Sequence, residues 1–176
     1  MSAGGPILVT GARGFVASYL IADLLADGAR VVGLDRSVAD LARPAADQGR
    51  PAGDPSPAPP APRTWPWRAT PSGAETPREV HLRGEAGAWT LTACPLEDAP
   101  AVAELIARLQ PAAIFHLAAQ SSAAVSFADP AGTFAANAVG GLNLLEAVRA
   151  LPAAARPPLL AVGSAANLVL QALGGV

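Results

Sequence analysis

Short apolar runs alternate with amphipathic stretches along this chain. Ile7-Leu8-Val9-Thr10 is apolar without polar alternation, the pattern of a parallel strand buried on both faces. Phe15 to Asp27 carries Val16, Leu20, Leu24 and Leu25 near helical spacing, and Gly28 supplies a stop. Val31-Val32-Gly33-Leu34 predicts a second strand ending at Asp35, and Trp89 to Cys94 a third. Asp98 predicts the cap of a helix from about Pro100 to Gln110, with Val102, Leu105, Ile106 and Leu109 facing inward. Ala112 to Leu117 reads as a fourth strand, followed by a loop of small residues from Ala118 to Ala124. Asp129-Pro130 opens a long helix to about Ala150, with Phe134, Ala138, Gly141, Leu145 and Val148 on its inner face. Leu159 to Gly163 is a fifth strand, and Ser164 ends it.

This alternation predicts an α/β fold, a Rossmann-type doubly wound parallel sheet with helices on both faces. The expected strand order is 3-2-1-4-5, with ligands at the carboxyl ends of the first and fourth strands, where the winding reverses. One domain covers residues 1–176, interrupted at 43–88 by a stretch rich in proline, alanine, glycine and serine. Such a stretch lacks donors for a ladder and an apolar period for a helix, so it reads as a disordered or polyproline-like insertion. Its Pro-x-x-Pro spacing near Pro57 to Pro62 also fits an SH3-type ligand. Trp65 and Trp67 either pin this loop to the domain edge or form a sticky patch.

Composition narrows the chemistry. The chain is 51% hydrophobic and 15% charged, a globular balance, and its net charge of −2 without a basic run argues against nucleic acid. Cys94 is the lone cysteine, so no internal disulfide forms, and with two histidines it makes a poor metal set; no metal is expected. The N-terminus lacks the pattern of a signal peptide, which makes the cytoplasm the default location. From Pro157 to Val176 there is no charge, near the length of a membrane span. Ser164, Asn167, Gln171 and several glycines argue against a membrane there. All 12 basic residues are arginine, and the one tyrosine is Tyr19.

The first strand, turn and helix carry the candidate site. Gly11 and Gly14 let the backbone bend and approach a ligand, and Ala17 lets the helix pack close to the strand. Asp35, at the end of the second strand, is placed to accept hydrogen bonds from ribose hydroxyls and to repel a 2′-phosphate. Arg36 beside it softens that preference, so NAD is expected and NADP stays open. An ordinary βαβ unit with a tight turn is the bland alternative.

Thr10 to Ala17, His116-Leu117-Ala118-Ala119-Gln120-Ser121, and the run from Ser126 through Ala147 resemble the extended short-chain dehydrogenase/reductases, the NAD-dependent epimerase/dehydratases acting on nucleotide sugars. Within them the chain is most similar to the GDP-mannose 4,6-dehydratases and the related 4-keto-6-deoxymannose reductases. The resemblance covers residues 5–40 and about 89–164. It implies that Gly11, Gly14 and Ala17 form the pyrophosphate loop and that Asp35 binds ribose. It also implies that Ala118, Ala119 and Asn137 lie near the cofactor, with Arg13, Phe15, Val16, Arg36, Leu96 and Leu117 in the same binding set. Ser164 matches the catalytic Ser/Thr that hydrogen-bonds the reacting sugar oxygen. His116 matches a strand-end position and reads as structural.

The departures are as informative. Pro95 stands where the family carries an acid near the adenine, and Leu168 stands where a tyrosine follows the catalytic serine. The family's Tyr-x-x-x-Lys pair has no counterpart, because the chain has no lysine and its tyrosine belongs to the first helix. Ser164 alone lacks a proton-transfer partner. The expectation is therefore a nucleotide-sugar epimerase/dehydratase by descent, with a C-terminally truncated sheet, no substrate domain and incomplete catalysis. A nucleotide sugar is the implied substrate, and a homodimer is left open. The alternatives are a non-catalytic dinucleotide-binding or interaction module and a half-enzyme completed by another chain.

Overall fold

The computed structural model of the chain describes residues 4–38, 67–69 and 78–162. Seven strands form one sheet in the order β3-β4-β5-β2-β1-β6-β7. They are β1 (Ile7–Thr10), β2 (Val31–Asp35), β3 (Arg68–Ala69), β4 (Glu79–Gly84), β5 (Gly87–Ala93), β6 (Ala113–His116) and β7 (Leu159–Ala161). The five strands expected from the sequence are β5, β2, β1, β6 and β7, and they lie parallel in the expected order.

Strand β1 holds the centre because its residues serve both faces. Leu8 points into one core with Leu34, Ile106, Ile114 and Leu144. Val9 points into the other, with Ala17, Ile21, Leu91 and Trp89. Helix α1 (Phe15–Ala26) covers the second face through Ala17 and Ile21. On the first face, α2 (Ala99–Leu109) packs through Val102, Leu105 and Ile106. Asp98 caps α2 as expected, its carboxylate accepting from the Ala101 amide at 3.1 Å.

Three expectations are corrected. The 43–88 insertion is not unstructured throughout, since β3 and β4 lie in it and pair antiparallel at the sheet edge. Val80 and Leu82 of β4 are buried while Glu79, His81 and Arg83 face solvent, the alternation of an antiparallel strand with one covered face. Trp67 is buried edge-on against Trp89, with ring centroids 5.7 Å apart, so it pins this segment to the domain. Trp65 and the Pro-x-x-Pro stretch lie outside the described residues, as does Ser164 with the tail that follows it.

The loop after β6 is shorter than expected, because Ser122 caps a further helix, α3 (Ala123–Ala128). The long helix from Pro130 is also not continuous. It runs as α4 (Pro130–Phe134), a π turn (Ala135–Val139) and α5 (Gly140–Ala150). Its buried stripe is Gly140, Leu144 and Ala147, whereas Phe134 and Leu145 face outward. The π turn breaks the 3.6-residue phase on which the expected face depended, and α5 is apolar enough on both stripes to fit either reading.

Candidate functional site

The winding of the sheet reverses between β1 and β6, where an open α/β sheet leaves a crevice at its carboxyl edge. A cavity of about 320 Å³ lies there, lined from β1, β2 and the loops after β5 and β6. Gly11, the first residue after β1, has φ of +66°, and a Cβ there would sit 2.8 Å from the Ala118 backbone. The two loops therefore meet through backbone, which only glycine permits. Gly14 is the N-cap of α1, and no side chain caps that helix. The first N–H groups of α1 are left for an anion at the positive end of the helix.

Asp35 is oriented by both flanking segments. Its Oδ2 accepts from the Arg13 amide at 3.3 Å and its Oδ1 from the Arg36 amide at 2.9 Å. Burial pushes its pKa above the usual carboxylate value, and the amides and charges of Arg13 and Arg36 counter this only in part. The carboxylate keeps acceptor capacity beyond these two bonds, and it lines the cavity. Arg13 is itself buried, its Nη1 donating to the Ser37 carbonyl at 3.5 Å. The Arg36 guanidinium pairs with Glu97 on the loop between β5 and α2.

The opposite wall is held by polar contacts. The fully buried Thr10 hydroxyl accepts from the Ala118 amide at 3.2 Å and bonds His116 Nδ1 at 2.7 Å. Burial lowers the His116 pKa, which keeps the ring neutral near pH 7. Asn137, in the π turn, grips Gln120 twice, its Oδ1 accepting from the Gln120 amide at 2.6 Å and its Nδ2 donating to the Gln120 carbonyl at 3.0 Å. Single-turn π segments recur at functional sites, and here the turn presents a residue that fixes the cavity wall.

Of the residues expected at the cofactor, Gly11, Arg13, Gly14, Asp35, Arg36, Leu96, Leu117, Ala118 and Ala119 line the cavity. Phe15 and Val16 open α1 with side chains turned to solvent, so their placement leaves only backbone amides for a ligand. Asn137 is not in the lining and acts through Gln120, which is. Ser164 lies outside the described residues, and its role is untouched by this geometry. Sequence reasoning missed Thr10 and Glu97 as parts of the wall and Asn143 as the brace behind it. Asn143 Nδ2 donates to the Leu96 and Glu97 carbonyls at 2.9 and 3.3 Å, tying the β5–α2 loop to α5. An asparagine inside a helical pattern was the available signal.

A family model described as the NAD dependent epimerase/dehydratase family matches residues 7–167. A UDP-glucose 4-epimerase from Mycolicibacterium smegmatis is 33% identical over 142 residues, which are 81% of this chain and 34% of that protein. A GDP-mannose 4,6-dehydratase from Vibrio cholerae is 43% identical over 56 residues, 32% of this chain and 15% of that protein. Among solved structures, the Thermus thermophilus UDP-glucose 4-epimerase, determined as a complex with NAD, is 31% identical with a TM-score of 0.51. It is matched by 82% of this chain, over 33% of its own length. The chain spans about a third of the length of the first relatives it matches.

Proposed function

Because the chain belongs to the NAD dependent epimerase/dehydratase family, we propose that its 176 residues form the NAD-binding part of a nucleotide-sugar epimerase or dehydratase. The observation that carries this reading is the meeting, at one cavity, of the Gly11–Gly14 turn, the oriented Asp35 carboxylate and the Ala118 loop. The cavity suits a dinucleotide in its parts. Backbone amides at the start of α1 take the pyrophosphate, and Asp35 accepts from the adenosine ribose hydroxyls. Leu96, Leu117, Ala118 and Ala119 leave room for the flat rings without adding charge. Bound there, NAD supplies a hydride acceptor for oxidation of a sugar hydroxyl.

This chain's residues hold and orient the cofactor, and they stop short of proton transfer. Tyr19 lies on α1 and the sequence contains no lysine, so the family's acid/base pair has no counterpart in these residues. Ser164 is assigned to the sugar oxygen by resemblance alone. His116 is committed to Thr10. The reading places the protein in the cytoplasm, where the buried free Cys94 stays reduced. Among the described residues no helix is long and apolar enough to cross a membrane.

Calorimetry of the full chain with NAD tests binding, and assay of the same protein with UDP-glucose and GDP-mannose tests turnover. Binding without turnover is expected. Sugar oxidation by the purified chain overturns the incomplete-catalysis part, and absence of NAD binding overturns the whole. The nucleotide-binding reading also leaves Phe134, Leu142 and Leu145 exposed on one helical region. That exposure favours a homodimer or partner through this face, which size-exclusion chromatography resolves.

A further inference from the structure

The adenosine end of the cavity carries two opposed signals. Asp35 repels a 2′-phosphate, while Arg36 and Arg13 beside it are the groups that would welcome one. The Arg36 side chain lines the cavity but is already engaged. Its Nη2 donates to Glu97 Oε1. Glu97 is itself held in place. Asn143 of α5 donates to the carbonyls of both Leu96 and Glu97, and the neighbouring Leu96 is buried against α5. A Cβ on Gly140 would stand 2.9 Å from the Leu96 Cβ, so the loop sits tight on the helix. The pair lies where this cavity adjoins a second one of about 360 Å³, and both residues line both cavities.

We propose that Glu97 is a specificity residue for the dinucleotide: it holds the Arg36 guanidinium and adds its own charge, so that the ribose end of the cavity favours a 2′-hydroxyl over a 2′-phosphate. The inference rests on the NAD-binding reading above. Its physical content is local charge. Among the described residues Glu97 is the carboxylate that pairs with the Arg36 guanidinium. Without it, Arg36 is released to meet a phosphate with the forked donors that suit it. The pair is a poor candidate for a purely structural role, since the side chains are 60% and 29% exposed and exposed ion pairs add little stability.

The test is the ratio of NADP to NAD affinity, measured by calorimetry on the full chain at low and moderate salt. Wild type is expected to prefer NAD. Glu97→Gln is expected to raise the NADP:NAD affinity ratio at least fivefold. Arg36→Ala placed on top of it is expected to remove that gain. Glu104→Gln, an exposed charge on α2 away from the cavity, is the charge control and leaves the ratio unchanged. A ratio within twofold of wild type in Glu97→Gln overturns the inference, as does a gain that survives the loss of Arg36 or a wild type that prefers NADP. Circular dichroism and thermal unfolding confirm that each variant is folded. If folded wild type binds neither nucleotide, the NAD-binding reading fails and takes this inference with it. If NAD binds and the ratio does not move, only the role of Glu97 fails.

Discussion

Gly11 and Gly28 offer a paired test of the turn after β1. Both have positive φ, +66° and +78°, so alanine at either meets the same left-handed strain of roughly 1–2 kcal/mol. They differ in what a new Cβ would touch. At Gly28, just past α1, nothing lies within 4 Å. At Gly11 the Cβ would fall 2.8 Å from both Cα and N of Ala118, backbone atoms that cannot rotate aside. Relief requires the β1 and β6 loops to part by several tenths of an ångström, an overpacking cost of about 1–3 kcal/mol. Gly28→Ala should therefore destabilise by roughly 1–2 kcal/mol and leave nucleotide binding as it was. Gly11→Ala should destabilise by roughly 2–5 kcal/mol and weaken NAD binding more than tenfold, because the spread loops are the walls of the cavity. Thermal unfolding reads the first effect, at about 2–4 °C per kcal/mol for a chain of this size, and calorimetry reads the second. The reasoning is refuted if Gly11→Ala binds NAD like wild type, or if it loses no more stability than Gly28→Ala.

The same geometry makes three further predictions. Thr10→Val keeps the shape but strips the buried hydroxyl from the Ala118 amide and the His116 ring, and it should lower stability by roughly 2–4 kcal/mol in urea unfolding. Asp35→Asn should weaken NAD binding at least tenfold in calorimetry, given about 1.5–3 kcal/mol for hydrogen bonds to a charged group, because its amide NH2 replaces one of the two oxygens that accept from the Arg13 and Arg36 amides. Stability should also fall on mild acidification. The His116 pKa is lower in the folded state than its ordinary value of 6.5, so its contribution is complete above that value and is lost as the pH falls below it. Asp35 acts in the opposite sense and nearer 3.8, since its raised pKa lets the folded state take up a proton more readily there. Urea midpoints from pH 7.5 to 5 should drop in wild type and flatten in His116→Gln.

Much of the fold was legible because buried parallel strands leave unbroken apolar runs. Ile7–Thr10, Val31–Asp35 and Ala113–His116 read directly, and their order followed from the alternation of strands and helices that marks a doubly wound sheet. Strand β4 was legible in principle, since Val80 and Leu82 alternate with Glu79, His81 and Arg83. The prolines before it coloured the reading of the whole insertion. The inner face of α5 was misread because a π turn shifts phase without leaving a residue signature. At the site, single residues were legible where one backbone or side-chain property dictates the type, as at Gly11, Gly14 and Asp35. Pairings were not. Arg36 meets Glu97 across 61 residues and Thr10 meets His116 across 106, and periodicity carries no information about such contacts.

The central claim, that this cavity holds NAD across the β1–β6 switch point, is tested most directly by titrating the full chain with NAD and following backbone amide shifts by NMR. Saturable shifts are expected at Gly11 to Val16, at Asp35 and Arg36, and at Leu117 to Gln120, with Val80 and Leu82 of β4 unmoved. Saturable binding whose shifts fall elsewhere, or no shift in these segments at millimolar NAD, would contradict the claim.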